Sequence, residues 1–194
     1  MIVKPTLQDL KAIGYYLGKI ILGLALTMVI PILIGLAAGE INPTLDFLIS
    51  LEISLIFGLV LIKVCHTEHE LNWMQGMIVV SLSWIAAMLL GAIPMYLSGH
   101  WISYLDACFD SMSGFATTGL ALVQNLDHIS LAHNFWRHLI MFIGGQGIVI
   151  IALSFFVKGA SGAFKLYVGE ARDEKIMPNV VHTSRFIWLV SLVY

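Results

Sequence analysis

The feature that most constrains this chain is a series of long apolar runs nearly free of charge. They extend from about Ile20 to Ala38, Leu45 to Val64, Met77 to Leu97 and Phe135 to Val157. A membrane-crossing helix needs about 20 mostly apolar residues, and each run has roughly that length. The 194 residues are 59% hydrophobic and 11% charged, against about 45–50% and about 25% in soluble domains. Mean hydropathy is +0.90. Such a chain has too little polar surface to cover a water-facing exterior, so the bilayer is its natural solvent. In lipid the backbone must satisfy its own hydrogen bonds, and helix-length runs do this as helices. The expected fold class is therefore an all-α integral membrane protein.

Pro31 falls inside the first run, which membrane helices tolerate. Glu52 falls inside the second and should face protein or water, since a carboxylate facing lipid is costly. The N-terminal stretch lacks a signal peptide's short apolar core and small-residue cleavage site. It reads as a retained arm on the cytosolic side. With the N-terminus inside and the spans alternating, Lys4, Lys11, Lys19, Lys63, Lys158, Lys165, Arg172, Lys175 and Arg185 lie inside, nine of the ten Lys and Arg residues. Glu40, Asp46, Asp106, Asp110 and Asp127 lie outside. That is the positive-inside distribution. It requires the segment from Ser98 to Asn134 to leave and return on the outer side, as a re-entrant loop does.

Within that segment a short amphipathic piece, Trp101 to Ser113, precedes Gly114-Phe115-Ala116-Thr117-Thr118-Gly119. The reading is a short helix that dips toward the membrane and ends near Gly114, followed by extended backbone climbing out. Non-helical backbone at membrane depth is tolerated only where protein buries it or water reaches it. A cation stripped of water can use its carbonyls, which replace the hydration shell. Gly114 and Gly119 can take positive φ and turn successive carbonyls toward one axis. Thr117 and Thr118 add hydroxyl oxygens. The C-terminal end of the short helix presents a negative dipole to the same point. Asp106 and Asp110, nearer its start, suit the positive end. The competing reading of the Thr-Thr-Gly stretch is a plain extracellular loop.

Two readings fit the cluster Gly144, Gly145 and Gly147: close approach or flexibility beside a pore, and ordinary small-residue helix packing. Arg137 has two as well: pairing with Asp127 or Asp110 at the outer mouth, and interfacial snorkelling. The stretch Cys65-His66-Thr67-Glu68-His69 matches no strong metal signature and reads as a solvated turn. Cys65 and Cys108 sit at different expected depths, against a disulfide. Trp73, Trp101, Trp136 and Trp188 fall near span ends, where interfacial aromatics gather. The remaining histidines are scattered. No P-loop, dinucleotide fingerprint or catalytic triad is present. The expectation is a transporter that is not an enzyme, binds no cofactor and has no nucleic-acid partner.

Asp106 to Gly119, then Asn125-Leu126-Asp127, Phe135-Trp136-Arg137 and Gly144-Gly145-Gln146-Gly147-Ile148, together resemble the first pore repeat of the Trk/Ktr/HKT superfamily of potassium transporters, nearest its TrkH-type subunits. Two leading spans before the repeat fit the same resemblance. It implies a span–pore–span architecture with a re-entrant pore helix and filter loop. Four such repeats in one chain would surround a path for potassium, the transported ion. It implies that Thr117, Thr118 and Gly119 supply a quarter of the filter, supported by Gly114, Asp110, Arg137, Gly144 and Gly145. Ala116 stands where relatives often have a third threonine, and Gln146 where they tend to have methionine.

The expected layout is a cytosolic arm with two leader helices over 1–75 and the first repeat over 76–157. A cytosolic basic loop and the start of a further span follow over 158–194. The apolar run from Phe186 to Tyr194 is half a span long, so the expectation is a fragment of a longer protein. The resemblance further implies the bacterial inner membrane, a homodimer, and a cytosolic nucleotide-binding regulatory subunit. Two rivals stand beside this reading: a channel of four identical short chains, and a membrane subunit with no ion path.

Overall fold

The computed structural model describes residues 6–69, 71–147 and 189–190, and these are helical with short connections and no strand. Among the described residues six α-helices of a turn or more follow one another: α1 (Leu7–Thr27), α2 (Val29–Ala38), α3 (Ile41–Val64), α4 (Trp73–Leu97), α5 (Tyr104–Phe115) and α6 (Leu131–Gln146). A 3-10 turn, Leu126–His128, lies between α5 and α6. Among the described residues, three stretches are long and apolar enough to cross a membrane: Leu7–Ala38, Ile41–Val64 and Trp73–Leu97.

The first helix begins well before Ile20. Thr6 and Asp9 form a reciprocal cap: the Asp9 carboxylate accepts from the Thr6 backbone N–H at 2.7 Å, and the Thr6 hydroxyl accepts from the Asp9 N–H at 3.3 Å. Such a cap satisfies N–H groups that a helix start leaves unpaired. The first span also breaks, at Met28, three residues before Pro31. A proline ring clashes with the carbonyl four residues back, here that of Thr27, where α1 ends. Gly39 ends α2 with φ of 72°, a left-handed cap that an L side chain would strain.

The described residues pack as two units, one drawn from 1–23, 57–83 and 146–194, the other from 24–56 and 84–145. In the first unit α1 and α3 cross through glycines. A methyl on Gly18 would meet the Gly58 carbonyl at 2.8 Å, and one on Gly58 would meet that of Gly18 at 3.1 Å. Small residues at a crossing let backbones approach, the main source of helix association in lipid. Gln75 donates to Asp9 and holds the start of α4 to that of α1. The turn after α3 places Cys65 against Gly14 and the His66 ring edge-on to Tyr15 at 5.7 Å. Both cysteines are free thiols.

In the second unit the core is aromatic. Phe47, Phe115, Trp136 and Met95 are fully buried, with His133 stacked on Phe47 at 5.0 Å between ring centroids. Glu52 is exposed, amid the exposed Ile49, Ile53 and Ile56 of α3. No packing among the described residues covers it. Trp101 and Trp136 are packed inside the protein, at 3% and 0% exposure, whereas Trp73 is 60% exposed. Trp188 lies outside the described residues. The fourth expected span starts four residues early, at Leu131, and its helix ends at Gln146, with Gly147 left-handed at φ of 82°. Residues 148–157 of that span, the basic loop and most of the last apolar run lie outside the described residues.

Candidate functional site

Ser103 starts α5 with a capping box. Its hydroxyl accepts from the Asp106 N–H at 3.1 Å, and Asp106 accepts from the Ser103 N–H at 3.0 Å. This sets the start three residues after Trp101. Tyr104 then donates its hydroxyl to the Leu89 carbonyl of α4 at 2.6 Å. Gly91 of α4 leaves room for α5, since a methyl there would meet the Ser111 hydroxyl at 2.8 Å and the Phe115 ring at 3.0 Å.

The other end of α5 is where backbone geometry becomes chemistry. The Thr118 N–H bonds the Ser113 carbonyl at 2.9 Å, and the Thr117 N–H bonds the Gly114 carbonyl at 2.9 Å. Those two bonds, with Thr117 at φ of 55°, make a Schellman ending. The position that takes left-handed backbone is usually glycine. Here it is a β-branched threonine, a genuine outlier that costs about 1–2 kcal/mol. Gly114, expected to supply positive φ, is instead helical. Its lack of a side chain admits Ile140 of α6. Gly119 does have positive φ, 77°, in open space.

The hydrogen bonding from Ala116 to Gly119 is one-sided. All four N–H groups are taken: Ala116 by Met112, Thr117 by Gly114, and Thr118 and Gly119 by Ser113. Among the described residues, none of the four carbonyls accepts a backbone hydrogen bond. All four residues are exposed, and the returning segment stays exposed through Leu122. The loop thus offers a run of accessible carbonyl oxygens and no free N–H, a surface that suits a cation.

Asp110 holds the returning segment. It is 4% exposed, seventh in α5. One carboxylate oxygen accepts from the Leu122 N–H at 2.5 Å, the other from the Trp101 indole at 2.8 Å. Its role is to tie the filter-like segment to the chain before α5, more than to complement the helix dipole.

α6 forms the wall behind the loop. Ile140 lies against Gly114, Gly144 against the backbone of Phe115, and Gly145 beside the Thr117 methyl, where an added methyl would sit at 3.7 Å. At Gly144 no side chain fits at all, because the Phe115 carbonyl occupies its place. Close approach is therefore what Gly144 provides, while Gly147 ends the helix.

Three further side chains fix α6. Glu40 accepts from the N–H groups of Leu131 and Ala132 at 2.8 and 3.1 Å, capping α6 from the α2–α3 junction. Trp136 donates to the Gly91 carbonyl at 3.0 Å, and His133 contacts the Pro94 carbonyl at 2.9 Å. The expected pairing of Arg137 with Asp127 or Asp110 is not made directly. Among the described residues no Lys or Arg pairs with a carboxylate; the His133 ring nitrogen lies 3.5 Å from the Asp46 carboxylate, an ion pair only when the imidazole is protonated. Arg137 instead borders a small cavity shared with Asp110, Gly119 and His138.

Comparison with known proteins decides the family. Residues 44–194 match the TrkH family, described as a cation transport protein. The chain belongs to that family. An uncharacterized cation transporter of Methanocaldococcus jannaschii is 34% identical over 193 residues, which is all of this chain and 40% of that protein. The Trk system potassium uptake protein TrkH of Halomonas elongata is 30% identical over 189 residues, 94% of this chain and 39% of that one. The chain spans about two fifths of the length of these two relatives. The crystal structure of the potassium transporter TrkH from Vibrio parahaemolyticus shares the fold, with a TM-score of 0.75 over 94% of this chain and 37% of that one, at 23% identity.

Proposed function

We propose that the whole protein carries potassium into the cell across a bacterial inner membrane, and that this segment supplies one of four filter loops. The observation that carries the reading is the one-sided bonding of Ala116 to Gly119, with every N–H consumed and the carbonyls left over. Family membership supports it, as do relatives that are Trk potassium uptake proteins. Thr117, Thr118 and Gly119 are the proposed ion-facing residues, with Gly114, Asp110, Arg137, Gly144 and Gly145 in support. Potassium is the cargo. An ion leaving water near the outer side exchanges its hydration shell for carbonyl oxygens held in place beforehand, so little reorganisation is needed as it passes.

The proposed layout assigns 1–75 to the arm and leader helices, 76–157 to the first repeat, and 158–194 to the basic loop and next span. The N-terminus is cytosolic. Three further repeats complete the path. The protein acts as a homodimer, and the basic residues from Lys158 to Arg185 face a nucleotide-binding regulatory subunit. It is a transporter and not an enzyme.

The test is potassium flux through the full-length protein in lipid vesicles, with the Gly119→Ser variant beside it. Flux in the parent, with lost or altered ion selectivity in the variant, supports the reading. Absence of potassium flux under every gating ligand tried, or a variant identical to the parent, overturns it.

A further inference from the structure

Arg137 and Asp110 border one cavity, in which the centre of a water molecule has about 50 Å³ to move. About 10–15 Å³ of such space holds one water, provided that two to four polar groups surround it. The cavity meets both conditions. Asp110 spends one acceptor site on Leu122 and one on Trp101, and a carboxylate has about four. Arg137 is half-buried, its guanidinium carries five donors, and it makes no ion pair with another described residue. Gly119 and Leu120 add backbone at the loop side. Asp110 keeps acceptor sites to spare and borders the same cavity as Arg137, and bridging water joins a carboxylate and a guanidinium at little loss.

We propose that this cavity is a water site, and that Asp110, its water and Arg137 form one network that positions the loop from Gly119 to Leu122. The inference rests on the filter reading above. Both residues are positioning residues: Asp110 grips the Leu122 N–H directly, and Arg137 holds the Asp110 carboxylate through water. The network accounts for Arg137 standing off from Asp110 while bordering the same cavity, and it assigns that cavity a ligand, water.

The experiment is a double-mutant cycle in the full-length protein, using Asp110→Asn, Arg137→Gln and the pair. The readouts are the potassium-to-sodium selectivity ratio and the thermal midpoint in detergent. Each single change should lower selectivity several-fold. The double should lose no more than the worse single, because both break one network. Arg137→Lys should restore only part, since a point charge lacks the planar fork. Losses that multiply, or singles that lower the midpoint while selectivity stays intact, overturn the network. If Gly119→Ser also leaves selectivity intact, the filter reading itself has failed. If Gly119→Ser destroys selectivity and the cycle is multiplicative, only the network has failed.

Discussion

Adding one methyl group to Gly144 should damage the loop from a distance. The structure places the backbone of α6 at Gly144 directly on the carbonyl group of Phe115, with three Phe115 backbone atoms inside the space of an added methyl. A flexible side chain could swing aside, but backbone cannot. Either α6 or the end of α5 must therefore shift, and Phe115 lies two residues before Thr117. Overpacking of this kind costs about 1–3 kcal/mol. Alanine's better helix propensity returns about 1 kcal/mol at most. If about 1.4 kcal/mol of the strain appears as lost ion-binding free energy, potassium affinity falls about tenfold. The assay is potassium-dependent growth of an uptake-deficient strain carrying full-length Gly144→Ala, with the thermal midpoint of the purified protein. Gly145→Ala is the internal comparison. Its methyl meets only the Thr117 methyl, at the ordinary contact distance of 3.7 Å, so stability should hold or rise slightly. A Gly144→Ala protein with unchanged midpoint and affinity, beside a destabilised Gly145→Ala, would refute the reasoning.

Thr117→Gly should relieve the left-handed backbone, raising stability by about 1 kcal/mol, while potassium selectivity falls through the lost hydroxyl and a looser loop. Unfolding and flux measurements on one preparation check both signs. Glu40→Ala should uncap α6 and lower stability by about 0.5–2 kcal/mol, read as a lower thermal midpoint, with Glu40→Asp recovering part.

The membrane class and the positions of the first three spans were legible because each rests on hydropathy over about 20 residues, a signal that tertiary packing seldom reverses. The errors fall at ends and kinks. The early start of α1 was written in the sequence as Thr6 and Asp9, a reciprocal cap three residues apart. The break at Met28 followed from Pro31. Neither changes an average over a long window. Trp136 and His133 were unreadable for a different reason. Their partners are backbone carbonyls of Gly91 and Pro94, some forty residues away in sequence. Nothing in a single chain's pattern announces which carbonyl an indole will meet. Both recur at a spacing of three on α6, as do their acceptors on α4, so the two helices lock in register.

The sequence reading of a short helix followed by extended backbone matches the structure, but which residue makes the turn was misread, and the misreading is instructive. Glycine was expected to provide the turn into the filter, because positive φ is cheap for glycine. The chain uses Thr117 there and reserves its glycines for contact, at Gly114 and Gly144. A helix ending normally leaves four carbonyls without intrahelical partners. The Schellman ending returns the Thr117 and Thr118 N–H groups to the carbonyls of Gly114 and Ser113. It therefore moves the surplus of carbonyls past the helix, onto Ala116 to Gly119. An ordinary device for finishing a helix thus converts a buried dipole into a row of open oxygens. What remains is to hold that row still, which falls to the Asp110 carboxylate on one side and the bare backbone of Gly144 on the other.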